Sequence, residues 1–317
     1  MPDGLSALVF ATMMASDLLL GALHDVRPAE ARAGAAQEIY DRHFARLLRR
    51  VETAAAGDLS LPAALWQVAT GRLFGLSRML AEATMDFSAV RGDRPLPTVL
   101  VVGEVYVRGE AFANNFLIDK LEARGLRTRL APLCEWIEYS DLINRREATA
   151  FRLGDRVSSA VQQRIQDLTY RVVARPLGWP PRPRVGPVLQ AVEPYLRTEL
   201  FGEAVLTVGG PLEEWRHGRI DAVVSVGPLE CMPNKIAEAQ LFHVAEREGL
   251  LALTLPVNGD SLDDEVLDNF AFEMHKRFRQ KQRSSADTPA AVPIRRKLRF
   301  RKGSASRTSV AVLPEIQ

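Results

Sequence analysis

Residues 223–235 read VVSVGPLECMPNK and lead from an apolar run into a short loop that holds a cysteine between two prolines. The run at residues 222–226 is β-branched and is followed by Gly227 and Pro228, which predicts a short strand buried on both faces. Pro233 then lies just inside a predicted helix, whose inward-facing positions recur at helical spacing: Ile236, Ala237, Gln240, Leu241 and Val244. Cys231 is therefore predicted at the carboxyl end of a strand and the amino end of a helix.

Two interpretations of Cys231 follow from this position. Ligands of open α/β sheets bind at the carboxyl edge of the strands, and the start of a helix favours an anion such as a thiolate. A cysteine in the same place can also be a small buried hydrophobic residue. Position alone leaves both interpretations open.

The same order of elements occurs earlier in the chain. A strand TVLVVG is predicted at residues 98–103, followed by a loop, a helix that ends at Gly125 and a second strand, TRLAP. The helix after Cys231 similarly ends at Gly249 and precedes the strand LLALTLP. We therefore predict an α/β fold of Rossmann-like βαβ units with a mostly parallel sheet, whose loops at 103–114 and 227–233 open at the same edge.

The chain divides into three predicted parts. Residues 1–95 predict a helical segment that packs on the core, and residues 96–279 predict the Rossmann-like α/β region, in which 150–202 are mainly helical. Residues 280–317 are rich in Ser, Pro, Lys and Arg, which is typical of a basic disordered tail. This composition favours a segment that is surrounded by solvent, and contact with nucleic acid is the less favoured alternative.

Composition limits the class of protein. The 317 residues are 47% hydrophobic and 25% charged, which is typical of a soluble globular chain. Only two cysteines are present and they form no CxxC pair, so no disulfide framework is expected and a cytoplasmic, reducing location is predicted. The apolar stretch at residues 6–23 contains Asp17 and no basic residue precedes it, which favours a buried helix over a signal peptide or a membrane span.

The loop after the first strand contains several candidate ligand-binding side chains. Glu104, Tyr106, Arg108 and Asn114 bring an acid, a phenol, a guanidinium and an amide to the predicted ligand edge. The loop matches neither GxGxxG nor GxxxxGK[ST], so ATP is not expected on this chain. Alternatively, Arg108 pairs with Glu104 or Glu110 and only orders the loop.

Four runs carry a resemblance to a known family: DLLLGALHDVRPAEARAGAAQEIYD, VVGEVYVRGEAFANNFLIDKLEARG, LAPLCEWIEY and HGRIDAVVSVGPLECMP. They resemble proteins associated with 2-hydroxyacyl-CoA dehydratases and benzoyl-CoA reductases. They are closer still to the part of the large CoA-substrate-specific activases beyond the ATPase module. The resemblance covers roughly residues 8–275 and leaves out the basic tail.

The resemblance implies a Rossmann-like fold and an oxygen-sensitive 4Fe-4S cluster that serves low-potential electron transfer. Carried onto this sequence, it makes Cys231 the candidate metal ligand and gives Gly227 and Pro228 the role of shaping its loop. Cys134 lies in PLCEW, where the match supports the fold and not the ligand set. His217 and His243 are interpreted as structural residues.

This chain departs from the family in its supply of ligands. Family members usually carry a cysteine-bearing domain ahead of the matching region, and a four-iron cluster takes about four thiolates or substitutes. The expected partner is therefore an iron-sulfur or ATPase activase subunit, or a second copy of the chain. Three functions remain open: an iron-sulfur component of such a system, a metal-free interaction scaffold that retains the fold, and a redox-active thiol protein that uses Cys231.

Overall fold

The computed structural model describes residues 4–147, 153–200 and 202–286. Within these ranges the chain forms twelve α-helices and four strands, with short 3-10 turns at Arg27–Ala29 and Leu73–Gly75. The helices are α1 (Gly4–Val26), α2 (Ala35–Ala55), α3 (Leu61–Ala69), α4 (Leu76–Val90), α5 (Val105–Gly109), α6 (Leu117–Ala123), α7 (Leu133–Glu147), α8 (Leu153–Leu177), α9 (Val185–Val192), α10 (Glu203–Arg216), α11 (Met232–Glu248) and α12 (Asp264–Ala286). The strands are β1 (Thr98–Gly103), β2 (Arg127–Leu130), β3 (Ala222–Pro228) and β4 (Leu251–Val257).

The four strands form one parallel sheet in the order β2-β1-β3-β4. Both predicted βαβ units are present, since β1 pairs in parallel with β2 and β3 pairs in parallel with β4. The predicted α/β class with a Rossmann-like, mostly parallel sheet is therefore confirmed. Because β1 and β3 are neighbours, the loops that follow them lie at the same edge of the sheet, as predicted.

Both faces of the sheet are covered, which explains why its strands are nearly continuous runs of apolar residues. Alternate residues of β1 enter different cores: Leu100 and Val102 pack with α9, α10 and α11, whereas Val99 and Val101 pack with α6 and α12. The first six residues of β3 are buried, as predicted for residues 222–226.

The N-terminal helices form a second apolar core around α1. Thirteen residues of α1 are buried, so the buried helix predicted at residues 6–23 is confirmed. By length and composition alone, the helical stretch from Gly4 to Ala29 could also cross a membrane. Ile165 and Val173 of α8 join this core, so α8 adds to the helices of residues 1–95 although it follows β2 in the chain.

Helix α12 extends further than the sequence predicts. The chain separates into two compact units, residues 1–279 and 280–317, and the described residues of the second unit are the last turns of α12 up to Ala286. Disorder was predicted from residue 280, but residues 280–286 are helical because Gln, Lys, Arg and Ala favour continuation of a helix. The rest of the predicted tail, residues 287–317, lies outside the described residues.

Gly103 ends β1 where the chain passes closest to β3. Its φ is +113°, and a Cβ atom there would lie 2.0 Å from the carbonyl oxygen of Val226. We expect Gly103→Ala to lower the free energy of unfolding by about 2 kcal/mol or more, because both the backbone conformation and the contact become strained. Urea unfolding followed by circular dichroism measures the loss.

Gly109→Ala is the matched control, because a Cβ atom there meets no atom within 4 Å. We expect the control to change the free energy of unfolding by no more than about 0.5 kcal/mol. Equal stabilities of the two variants would contradict the close approach of β1 to β3.

Candidate functional site

Cys231 lies at the carboxyl edge of the sheet, directly before α11. It is the N-cap residue of α11, with φ −72° and ψ 106°, and its thiol is free and partly exposed. Its backbone N–H donates to the carbonyl of Pro228 at 3.1 Å, and its carbonyl accepts from the N–H of Lys235 at 3.0 Å. The strand-loop-helix position predicted for this cysteine is therefore confirmed.

Gly227 shapes this loop through packing, and Pro228 contributes the carbonyl that accepts from Cys231. A Cβ atom at Gly227 would lie 2.8 Å from the amide nitrogen of Asn234, which is buried. The side-chain oxygen of Asn234 accepts from the hydroxyl of Ser225 at 3.0 Å. Gly227 thus leaves room for a side chain that fastens the start of α11 to β3.

Two of the candidate residues in the loop after β1 serve the loop itself. The carboxylate of Glu104 caps α5 by accepting from the backbone N–H groups of Tyr106 and Val107, at 3.2 and 2.8 Å. The buried amide of Asn114 donates to the carbonyl of Val107 at 2.9 Å, and its oxygen accepts from the N–H of Leu117 at 3.0 Å. These groups order the loop and are already hydrogen-bonded.

Arg108 is buried between the ends of β1 and β2. Its guanidinium donates to the carbonyls of Gly103 at 3.0 Å and Pro132 at 3.4 Å, and so orders the loop through carbonyls and not through Glu104 or Glu110. Burial raises the pKa of the Glu203 carboxyl at the start of α10, and the charge of Arg108 opposes this shift. Oε1 of Glu203 is buried and has no hydrogen-bond partner among the described residues, so Glu203 is a polar group of this edge that the sequence did not reveal.

Apolar side chains surround the same edge. Tyr106 and Phe112 follow β1, Leu229 and Met232 flank Cys231, and all four are exposed, with Phe112 at 83% and Met232 at 71%. Exposed apolar side chains grouped at one edge are typical of a surface that contacts another molecule.

Over the described part of the chain, no three His, Cys, Asp or Glu side chains are grouped so that they could hold a metal ion. Cys134 is buried at the start of α7, where burial next to Asp17 raises the pKa of its thiol far above the usual value. His217 caps the end of α10 and contacts Glu213, and His243 is half exposed beside Glu246. The edge therefore offers one available thiol per chain.

No family model, curated protein or solved structure matches this chain. The resemblance described above therefore rests on its sequence motifs.

A second candidate site lies beside β2, where a cavity of about 250 Å³ lies between the N-terminal helices and the sheet. We call it the arginine cavity, because six arginines line it: Arg91, Arg127, Arg129, Arg182, Arg184 and Arg219. Its wall is built from α1, α7, α8, β2 and the connection between α8 and α9. The apolar part of the wall includes Met14, Leu18 and Val188.

Every arginine of the cavity lies near a carboxylate. Arg91 and Arg127 share Asp25, at 3.5 and 3.2 Å, and Arg129 and Arg219 share the buried Glu214, at 2.6 and 2.9 Å. The other two arginines, Arg182 and Arg184, share Asp167 at 3.2 Å each, and Arg182 also pairs with Glu138 at 2.6 Å.

The connection GWPPRPR holds one side of the cavity in a fixed shape. Its three prolines restrict the backbone that carries Arg182 and Arg184. The indole N–H of Trp179 donates to Asp25 at 3.0 Å, and the hydroxyl of Tyr170 donates to the carbonyl of Pro180 at 2.8 Å.

The carboxyl group of Glu135 lines the cavity and has no bonding partner among the described residues. No hydrogen bond or ion pair of its side chain is formed with any residue that the structure describes, although it keeps accessible surface because it lines the cavity. Burial raises its pKa from 4.5 to about 7, with Arg108 opposing the shift and the carboxylates of Glu138, Glu214 and Asp17 adding to it. A carboxyl with a pKa near neutrality in a cavity is a frequent feature of functional sites.

Asp17 lies beside Glu135 in the same cavity. Burial raises the pKa of its carboxyl, which accepts a hydrogen bond from the backbone N–H of Cys134 at 3.0 Å. The sequence showed Asp17 as an acid within an apolar helix, but not its neighbours. The signals that could have indicated the cavity are the alternation RTRL, which places Arg127 and Arg129 on one face of β2, and the proline-arginine connection.

The raised pKa of Glu135 predicts a pH-dependent stability. The folded chain binds a proton at Glu135 that the unfolded chain releases above about pH 4.5, so this contribution to the free energy of unfolding is lost as the pH rises through about 7. We expect Glu135→Gln to remove a decline of about 3 kcal/mol between about pH 4.5 and pH 8. Urea unfolding over a pH series measures this decline.

Glu52→Gln, at an exposed site on α2, is the control and should reproduce the pH profile of the unaltered chain. Parallel profiles for Glu135→Gln and the unaltered chain would show that Glu135 is ionised throughout and does not lie neutral in the cavity.

Proposed function

We propose that the chain is an iron-sulfur electron-transfer component or accessory of a 2-hydroxyacyl-CoA dehydratase or benzoyl-CoA reductase type system. In this proposal Cys231 is one ligand of a 4Fe-4S cluster that is completed by a partner subunit or by a second copy. The observation that carries the proposal is a free, partly exposed thiol at the carboxyl edge of a Rossmann-like sheet, in the loop that resembles the family motif.

The local structure supports a ligand at this position. The dipole of α11 favours negative charge at its start, where the thiol of Cys231 lies. Pro228 and Pro233 restrict the loop on both sides, so less conformational freedom would be lost when the sulfur binds a ligand.

One chain does not fit a whole cluster. A four-iron cluster takes about four thiolates or substitutes, whereas the described residues provide only Cys231 at this edge. The exposed apolar side chains around Cys231 support a partner that covers the edge and adds the missing ligands. We therefore assign this chain a single ligand and no complete redox centre.

A metal-free interaction scaffold is the second candidate. The side chains of Glu104, Arg108 and Asn114 are hydrogen-bonded within the loop after β1. The side chains that remain exposed at this edge are therefore mainly apolar, which favours a scaffold. Such an edge can bind a partner without any metal.

Anaerobic reconstitution separates the two candidates. The full chain, alone and together with the products of its neighbouring genes, is treated with ferrous iron and sulfide, desalted and analysed for both elements. We expect bound iron and sulfide in the unaltered complex and their loss in Cys231→Ser, because a hydroxyl is a poor iron ligand.

Cys134→Ser is the matched control, since it also leaves one cysteine per chain and lies in the buried core. It should retain iron. Equal iron in all three proteins would remove Cys231 from the ligand set, and the absence of iron from every protein would favour the scaffold.

A further inference from the structure

The ion pairs around the arginine cavity contain more arginines than carboxylates. Its six arginines share four carboxylates, those of Asp25, Glu138, Asp167 and Glu214, which leaves two positive charges in excess. Guanidinium groups stay protonated at any ordinary pH, so the excess cannot be removed by loss of protons.

Two further carboxyls of the wall, Asp17 and Glu135, form no ion pair with these arginines, and burial raises the pKa of both. The wall is therefore neutral when both are ionised and doubly positive when both are protonated.

Hydrogen bonding within the wall is also incomplete. Nε of Arg127 lies 3.2 Å from Asp25 but is not aligned for a hydrogen bond, and Nη2 of Arg182 has no hydrogen-bond partner among the described residues. Gln166 is only 3% exposed and lines the cavity, and its side-chain oxygen has no hydrogen-bond partner in the part of the chain that the structure describes. Buried polar groups are normally satisfied, so these atoms are free to bond a further molecule that enters the cavity.

We propose that the arginine cavity is a binding site for a small organic anion, with its carboxylate or phosphate group against the arginines and a short apolar body against Met14, Leu18 and Trp179. Planar guanidinium groups match the geometry of both oxyanions, which explains six arginines and no lysine among the lining residues. The volume of about 250 Å³ equals that of roughly eight water molecules, so a ligand of roughly eight to ten non-hydrogen atoms fits.

The cavity is formed before a ligand arrives. Trp179 is fixed by its bond to Asp25, and Gly21 of α1 lets its ring approach, since a Cβ atom at Gly21 would lie 3.3 Å from that ring. Side chains and backbone that are already ordered lose little freedom on binding.

Protonation and anion binding are linked in this cavity. The groups that face Glu135 are Arg108 from α5, Asp17 from α1, Glu138 from α7 and Glu214 from α10. Three of these four are acids, so an anion that enters beside them is favoured when Glu135 holds a proton. Binding should therefore take up a proton and weaken as the pH rises through about 7.

Calorimetry on the full chain tests the proposal with four probes: hexanoate, adipate, inorganic phosphate and the neutral hexanamide. We expect hexanoate or adipate to bind about tenfold more tightly at about pH 6 than at about pH 8, with uptake of a proton. Hexanamide should bind at least about tenfold more weakly than hexanoate, because it has no charge to offer the arginines.

Variants assign the binding to the cavity. Arg127→Gln should weaken binding about tenfold or more, whereas Arg42→Gln, which removes an exposed arginine paired with Asp86, should leave it unchanged. Glu135→Gln should retain the binding seen at about pH 6 and weaken less than the unaltered chain as the pH rises to about 8. This last variant also tests the proposal if Arg127→Gln does not fold.

Four results would contradict the proposal. The first is that no probe binds at either pH, which would make the arginines a structural ion-pair network between helices and sheet. The second is equal affinity for hexanoate and hexanamide, and the third is an unchanged affinity in Arg127→Gln. Phosphate that binds as tightly as hexanoate would contradict the apolar half of the proposal. None of these results depends on iron or on Cys231.

Discussion

The parallel pairing of β1 with β3 is the constraint on which the rest of the structure depends. It joins residues that are 123 positions apart, and hydrogen bonds close it at both ends. At one end Thr98 and Asp221 are joined by two bonds, of 2.8 and 2.9 Å, and at the other the N–H of Glu104 donates to Val226 at 3.0 Å. This pairing places two βαβ units in one sheet and brings their two loops to a common edge, so the environment of Cys231 is fixed by contacts far from it in the chain.

The outer strand β2 determines the other half of the molecule. Because β2 pairs with another strand on one side only, the helices around α1 pack along its other side. There Arg127 and Arg129 line the arginine cavity, and their surroundings are polar instead of apolar. Asp25 of α1 pairs with Arg127 and accepts a hydrogen bond from Trp179, whereas Arg129 pairs with Glu214 of α10. Buried ion pairs rarely add net stability over apolar packing, which supports the proposal that these arginines serve a ligand.

The sequence predicted the sheet because its signals are local. Short apolar runs bounded by Gly125, Gly249 and the prolines around Cys231 identified both units and their common edge. It assigned Glu104 and Asn114 to ligands by residue type, whereas in a short loop the backbone N–H and carbonyl groups need those side chains as partners. The arginine cavity could not be predicted in the same way, since its wall is assembled from elements on either side of β2 and no single stretch of sequence contains it.

Arg108 connects the two candidate sites. It lies between the ends of β1 and β2, where its guanidinium donates to two carbonyls, and its charge opposes the rise that burial causes in the pKa of Glu203 on the sheet edge and of Asp17 and Glu135 in the cavity. A positive charge held in a buried position by carbonyl dipoles is felt strongly by its neighbours because little water screens it. The charge of Arg108 therefore acts on carboxyl groups both at the carboxyl edge and in the arginine cavity. The protonation of Glu135 depends on Arg108, whose backbone belongs to the loop beside Cys231.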